Sequence, residues 1–209
     1  MPTRPQIINH MLRTLGEGGV SYDQSTHPTV QLCNNCLDTV SAEVQGRGWW
    51  FNKEYGLVLV QDNRGEVVVP TEALDVTIHN VSQLGPGSKI QLVRRDNRIY
   101  DTINHTFEIK RDIAIDITLL LELDDLPSAA QSYIQHKASE TIFLDEDGDP
   151  QKLSKLEQRT AFAWQALQAQ QLKNLSTNAL DRISAQQLTR GWRSAGQGRN
   201  PNLIGGRLR

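Results

Sequence analysis

Apolar positions along the chain change period twice, and each change marks a structural boundary. Ile7, Ile8, Met11, Leu12 and Leu15 recur on one helical face. Thr3 is placed to cap that helix and Pro5 to sit in its first turn. Gly16, Gly18 and Gly19 end it, and residues 17–28 read as a loop. A second helix starts near Thr26 or Thr29. Its stripe is narrow: Val30, Cys33, Leu37, Val40 and Val44. Gly46-Arg47-Gly48 stops it.

The period then falls to two. Trp49-Trp50-Phe51 and Leu57–Val60 read as strands, and Asp62-Asn63-Arg64-Gly65 reads as a turn into a partner strand at Glu66–Val69. Leu74, Val76 and Ile78 alternate with Asp75, Thr77 and His79. Lys89–Val93 and Arg98–Tyr100 flank a turn at Asp96-Asn97. The clearest strand is 113–123, with Ile113, Ile115, Ile117, Leu119, Leu121 and Leu123 on one side. Six or seven short strands in this block predict an antiparallel sheet or small sandwich.

After Asp124-Asp125 the helical period resumes. Leu126, Ala130, Tyr133, Ile134, Lys137, Ala138 and Thr141 share a face. Residues 145–150 form an acidic turn, where Asp149 caps a further helix and Pro150 begins it. That helix runs to about residue 175, with Leu153, Leu156, Thr160, Ala163, Trp164 and Leu167 on its stripe. The expected fold is α+β: a bundle of about four helices, an antiparallel β insertion between helices two and three, and an extended C-terminal tail. Residues 1–48 and 124–176 supply the bundle halves, 49–123 the insertion and 177–209 the tail.

Charge changes the picture of that tail. Residues 182–209 hold six Arg, no Lys and no acid, while the other 181 residues hold 16 basic and 24 acidic side chains, a net of −8. A basic tail on an acidic body reads either as an arm that finds an acidic partner or as a solvated tail. No apolar run approaches the roughly 20 residues a membrane span needs, and no secretory signal is visible at Met1–Pro5. Two cysteines make no disulfide scaffold, so a reducing cytoplasm is the expected site of synthesis.

Candidate chemistry is sparse. Cys33 and Cys36 form a lone Cys-x-x-Cys with no second pair to complete a tetrahedral zinc site. They sit within a helix, where packing is the simpler role. The run Asp145–Asp149 has Gly148 at position four and Leu156 at position twelve, which does not fit a calcium loop. His10, His27, His79, His105 and His136 are scattered, and neither a nucleophile elbow nor a phosphate loop is present. No cofactor or metal is expected. A carboxylate pair for glycan hydrolysis, with Glu54 or Glu108 as examples, stays open. Trp49, Trp50 and Trp164 are expected in the core, whereas Trp192 stands beside Arg190 and Arg193, the residue types enriched at interface hot spots.

The run Glu43-Val-Gln-Gly-Arg-Gly-Trp-Trp-Phe-Asn52 resembles the tail tubular protein A family, the head-to-tail adaptor (gatekeeper) ring proteins of short-tailed bacteriophages. Leu12–Val20, Ile99-Tyr100-Asp101, Asp124-Asp-Leu-Pro127 and Lys137-Ala-Ser139 are similar to further family stretches, in the same order, over residues 5–175. Two features depart from it: Gly18-Gly19 stands where relatives often have proline, implying a looser loop, and the Arg-rich tail has no close match.

The resemblance implies a non-enzymatic virion protein, assembled in the host cytoplasm. It implies a ring of twelve copies between portal and tail nozzle, with DNA passing through its centre without sequence-specific binding. Tail fibres attach nearby, and no membrane is involved. Two other readings stand beside it: a nucleic-acid-binding module using the Arg tail on phosphates, and an envelope glycan hydrolase. From physics rather than resemblance, Arg190, Trp192, Arg193, Arg199, Leu203, Ile204, Arg207 and Arg209 are the expected partner-binding residues.

Overall fold

The computed structural model describes residues 2–20, 27–78 and 91–181, with side chains described as far as residue 175. The chain divides into two compact units, residues 1–168 and 169–209. The second is described only through its share of the last helix.

Four α-helices are present among the described residues: α1 (Arg4–Thr14), α2 (Pro28–Gln45), α3 (Ser128–Glu146) and α4 (Pro150–Asp181). Each begins where local chemistry favours it. The Gln6 side chain accepts the Thr3 N–H at 3.0 Å at the start of α1. Asp149 accepts the Gln151 N–H at 2.8 Å, and Pro150 opens α4 without needing a donor. The periodic stripes become one core. Ile7, Met11 and Leu12 of α1, Val30, Cys33, Leu37, Val40 and Val44 of α2, Ala130, Ile134, Ala138 and Ile142 of α3, and Ala163 and Leu167 of α4 are buried together. The chain after α1 is tied at Val20, because the Asn9 amide exchanges two hydrogen bonds with the Val20 backbone, at 2.9 and 3.2 Å.

Between α2 and α3 lies the β insertion, with β1 (Lys53–Leu59), β2 (Ala73–Ile78), β3 (Leu92–Arg95), β4 (Arg98–Asp101) and β5 (Ile113–Leu119). Strand β5 is central in an antiparallel sheet of order β1-β5-β2, and β3 pairs with β4. Asp96 and Asn97 both have positive φ, the twist a two-residue hairpin requires. Ile113, Ile115 and Ile117 of β5, Ile99 of β4, and Val67, Val69, Ala73 and Ile109 form a second, separate core. The fold is thus α+β, with an antiparallel insertion between the second and third helices of a four-helix bundle.

Several local expectations are corrected. Trp49–Phe51 is a turn rather than a strand, and Glu66–Val68 makes only isolated bridges to Gln61, Arg98 and Glu108. The strand expected over 113–123 ends at Leu119, and residues 123–125 form a single 3₁₀ turn. Helix α3 runs through Asp145 and Glu146, which were expected in a turn, and its buried face includes Gln131, Ser139, Ile142 and Phe143 rather than Lys137 or Thr141. Helix α4 continues to Asp181, beyond the expected end near 175. Trp164 is only partly buried, at the rim of the bundle core. Trp164→Ala is therefore expected to cost about 1–2 kcal/mol, not the 3–5 kcal/mol of a fully enclosed tryptophan. A urea-midpoint shift as large as that for a core residue would contradict this placement.

Candidate functional site

The most constrained polar constellation joins bundle to sheet and falls on the run 43–52. Helix α2 ends with Gln45 fully buried. Its side chain bridges to the segment that follows β5: Leu121 N–H donates to Gln45 Oε1 at 2.8 Å, and Gln45 Nε2 donates to Leu121 O at 3.0 Å. A third contact, Nε2 to Ser41 Oγ at 3.0 Å, locks the rotamer. Gly48 then takes φ +71°, and a Cβ there would lie 3.3 Å from Thr118 Oγ1. A side chain at this position meets both strain and crowding.

Asn52 closes the turn. Its Oδ1 accepts the Trp49 N–H at 2.8 Å, while Nδ2 donates to Gln45 O at 2.9 Å and Leu119 O at 2.8 Å. The Leu119 N–H donates to Asn52 O at 2.8 Å, beginning the β1–β5 ladder. The ends of the insertion are therefore held side by side, as a bundle accepting both flanking helices requires. Trp49 fills the space above. Its Nε1 donates to Val44 O at 2.7 Å, and its ring lies parallel to Phe51 and edge-on to Trp164. The Arg47 guanidinium sits 5.0 Å from the Trp164 ring centre. The Gln45 and Asn52 side chains and the Trp49 indole N–H are all hydrogen-bonded within this joint, which ties the bundle to the sheet.

The roles of Gln45 and Asn52 were not legible as such, although both lie inside the recognised run. A glutamine placed directly after the buried stripe, before a glycine stop, is the available signal. The Asp101 carboxylate, at the end of the Ile99-Tyr100-Asp101 stretch, similarly closes its turn on the Ile103 N–H and the Asn104 amide.

The other sequence candidates distribute as follows. Arg190, Trp192, Arg193, Arg199, Leu203, Ile204, Arg207 and Arg209 lie outside the described residues. Cys33 is buried in the bundle core, and the Cys36 thiol points to Ala138 O at 3.6 Å. Burial, with Cys36 next to it, pushes the Cys33 thiol up to about 11, and burial also raises Cys36. Native protein at pH 8 is accordingly expected to react slowly with a disulfide reagent and the denatured chain rapidly. Fast native titration of both thiols would contradict the packing. Among the described residues no group of His, Cys, Asp and Glu is placed to hold a metal. Glu54 and Glu108 are both exposed, and Glu108 pairs with Lys110 at 3.1 Å. No described helix is long and apolar enough to cross a membrane.

His10 and His136 meet edge-to-face at 5.9 Å between α1 and α3, and His10 Nδ1 lies 3.2 Å from Ser139 Oγ. Both are held below the usual 6.5, by burial first and then by nearby charge, with Arg159 acting on each. The unfolded chain therefore binds these protons more readily than the native one. Their contribution to stability is complete above pH 6.5 and declines as pH falls towards the depressed native values. Melting temperature is expected to drop from pH 7.5 to 5.5, and less steeply in His10→Asn/His136→Asn. An unchanged slope in that variant would contradict the assignment.

The sequence profile of the family described as "Tail tubular protein" matches residues 6–192. The chain is also 25% identical over 142 residues to "Tail tubular protein A" of Klebsiella phage KP34, covering 68% of this chain and 72% of that protein. The match spans the bundle, the insertion and the joint between them, so the chain belongs to the tail tubular protein family, as a structural component of the phage tail and not an enzyme.

Proposed function

We propose that the protein is the head-to-tail adaptor of a short-tailed phage: a ring of identical subunits, twelve by family resemblance, seated between the portal and the tail nozzle. Genomic DNA passes through its lumen and tail fibres attach near the junction. The observation that carries this reading is the pinned joint on a family-wide match. A closed ring of one chain type needs head-to-tail contacts, so each copy must present two different surfaces in a fixed relation. The Gln45–Asn52 joint fixes the bundle and the insertion in such a relation. The order of assembly tests it. Nozzle protein should cosediment with portal only when this chain is present, and direct binding of nozzle to portal would contradict an adaptor.

Within this reading the C-terminal segment is a docking arm. Residues 191–209 carry four Arg and no acid, with Trp192, Leu203, Ile204 and Leu208 as apolar anchors. Ordering each residue costs about 1–2 kcal/mol of backbone entropy, which so apolar-poor a stretch recovers only against a partner. The acceptor is the portal or the acidic stretch Asp145–Asp149 of a neighbouring subunit. Deleting 191–209 is expected to leave the melting temperature nearly unchanged and to abolish stable attachment to the portal. Normal docking of the truncated chain, or its unfolding, would sink the assignment.

A further inference from the structure

The described body is acidic overall, yet one groove in the bundle gathers cations. It lies between α1, the C-terminal end of α3 and the first turns of α4, and has a volume of about 390 Å³. Arg13 of α1 and Lys155 and Arg159 of α4 line it, all exposed and none with an ion-pair partner among the described residues. Lys152, at one end, is held to Asp147 at 3.4 Å. Phe143 and Leu156 form an apolar floor beneath these exposed cations. Unpaired like charges this close repel one another and gain from an anionic occupant.

At the other end of α3 the sign reverses. Glu122, Asp124 and Asp125 project from the 3₁₀ turn that precedes the helix, exposed and unpaired among the described residues. The turn is rigid. Buried Leu123 anchors it, and Gln131 Nε2 donates to Leu123 O at 2.8 Å. Exposed Leu120 adds an apolar neighbour. Knob and groove are separated by roughly 25 Å along α3, at 1.5 Å per residue. They cannot meet within one copy.

We propose that the cationic groove receives the Glu122–Asp125 turn of a second copy of this chain, in a head-to-tail contact. The inference rests on the ring reading above and names the surfaces that close the ring. A contact between two different patches of the same chain is the heterologous kind that generates rings. Charge complementarity selects the occupant. A groove of this size suits a short acidic turn, whose carboxylates would enter among Arg13, Lys155 and Arg159.

Paired charge reversal tests it. Lys155→Glu/Arg159→Glu spoils the groove and Asp124→Lys/Asp125→Lys spoils the knob. All four positions are exposed, and circular dichroism melts check that each variant stays folded. The readout is the number of copies bound per portal ring, by native mass spectrometry, with DNA retention measured in parallel. Each reversal alone is expected to weaken association between copies about 100-fold or more, leaving incomplete rings. The two variants mixed, or all four substitutions in one chain, are expected to restore complete rings, because the reversed surfaces complement each other. Wild-type rings that persist in both single reversals overturn the interface while leaving the ring reading intact. Loss without rescue overturns it too, as does intact assembly with weakened DNA retention, which would make the groove a phosphate site. A wild-type chain that never forms a ring on the portal contradicts the ring reading itself.

Discussion

Asn52→Ala is expected to destabilise the chain by about 3–5 kcal/mol, enough to lower its melting temperature by roughly 10 °C. The side chain is 2% exposed and serves three backbone groups: Trp49 N–H, Gln45 O and Leu119 O. Alanine leaves all three without that partner in a water-poor site, and each such loss costs about 1–3 kcal/mol before the backbone relaxes. Asn52→Asp should be no milder. It keeps an acceptor for Trp49, but it loses the amide donor and sets a carboxylate against two carbonyl oxygens. Because the lost contacts lie at the bundle–sheet joint, Asn52→Ala should also broaden the urea transition, with fluorescence and far-ultraviolet probes separating. A small, coincident two-state shift would show that the joint does not couple the two cores.

Trp49→Ala is expected to cost about 3–5 kcal/mol for a different reason, the loss of a large enclosed ring. The indole is 6% exposed and stacks on Phe51 with ring centroids 6.4 Å apart. It meets the edge of Trp164 at 5.4 Å and donates to Val44 O. Trp49→Phe keeps most of the apolar contact and loses the N–H donor, so it should cost about 1 kcal/mol. The ordering Trp49→Ala, then Trp164→Ala, then Trp49→Phe follows from burial. Equal midpoints for the two alanine variants would contradict the difference in burial between the two rings.

The helix faces were readable because burial there repeats with the helical period. Val30, Cys33, Leu37, Val40 and Val44 all face the core, as their spacing requires. The β region was readable as a class but not in its limits. Alternation continues smoothly from Ile113 to Leu123, yet the chain passes from one core to another on the way. Ile113, Ile115 and Ile117 pack in the sheet, whereas Leu123 packs in the bundle. A local pattern records that a residue is buried, not against which core. Trp49–Phe51 shows the same limit, since an aromatic run favours a strand until left-handed Gly48 and the Asn52 side chain fold it into a turn.

The joint was visible only as a resemblance. Gln45 and Asn52 look like ordinary surface amides in sequence, because their partners Leu121 and Leu119 lie 76 and 67 residues away. The cationic groove was equally hidden. Arg13 lies in α1 and Arg159 in α4, and the two line one groove only in the folded chain.

Electron microscopy of the purified chain incubated with portal rings tests the adaptor assignment most directly. The account predicts a single closed ring of this chain, coaxial with the portal, with twelve copies and an open central channel. Portal rings left bare, or decorated by separate copies that never close, would contradict it.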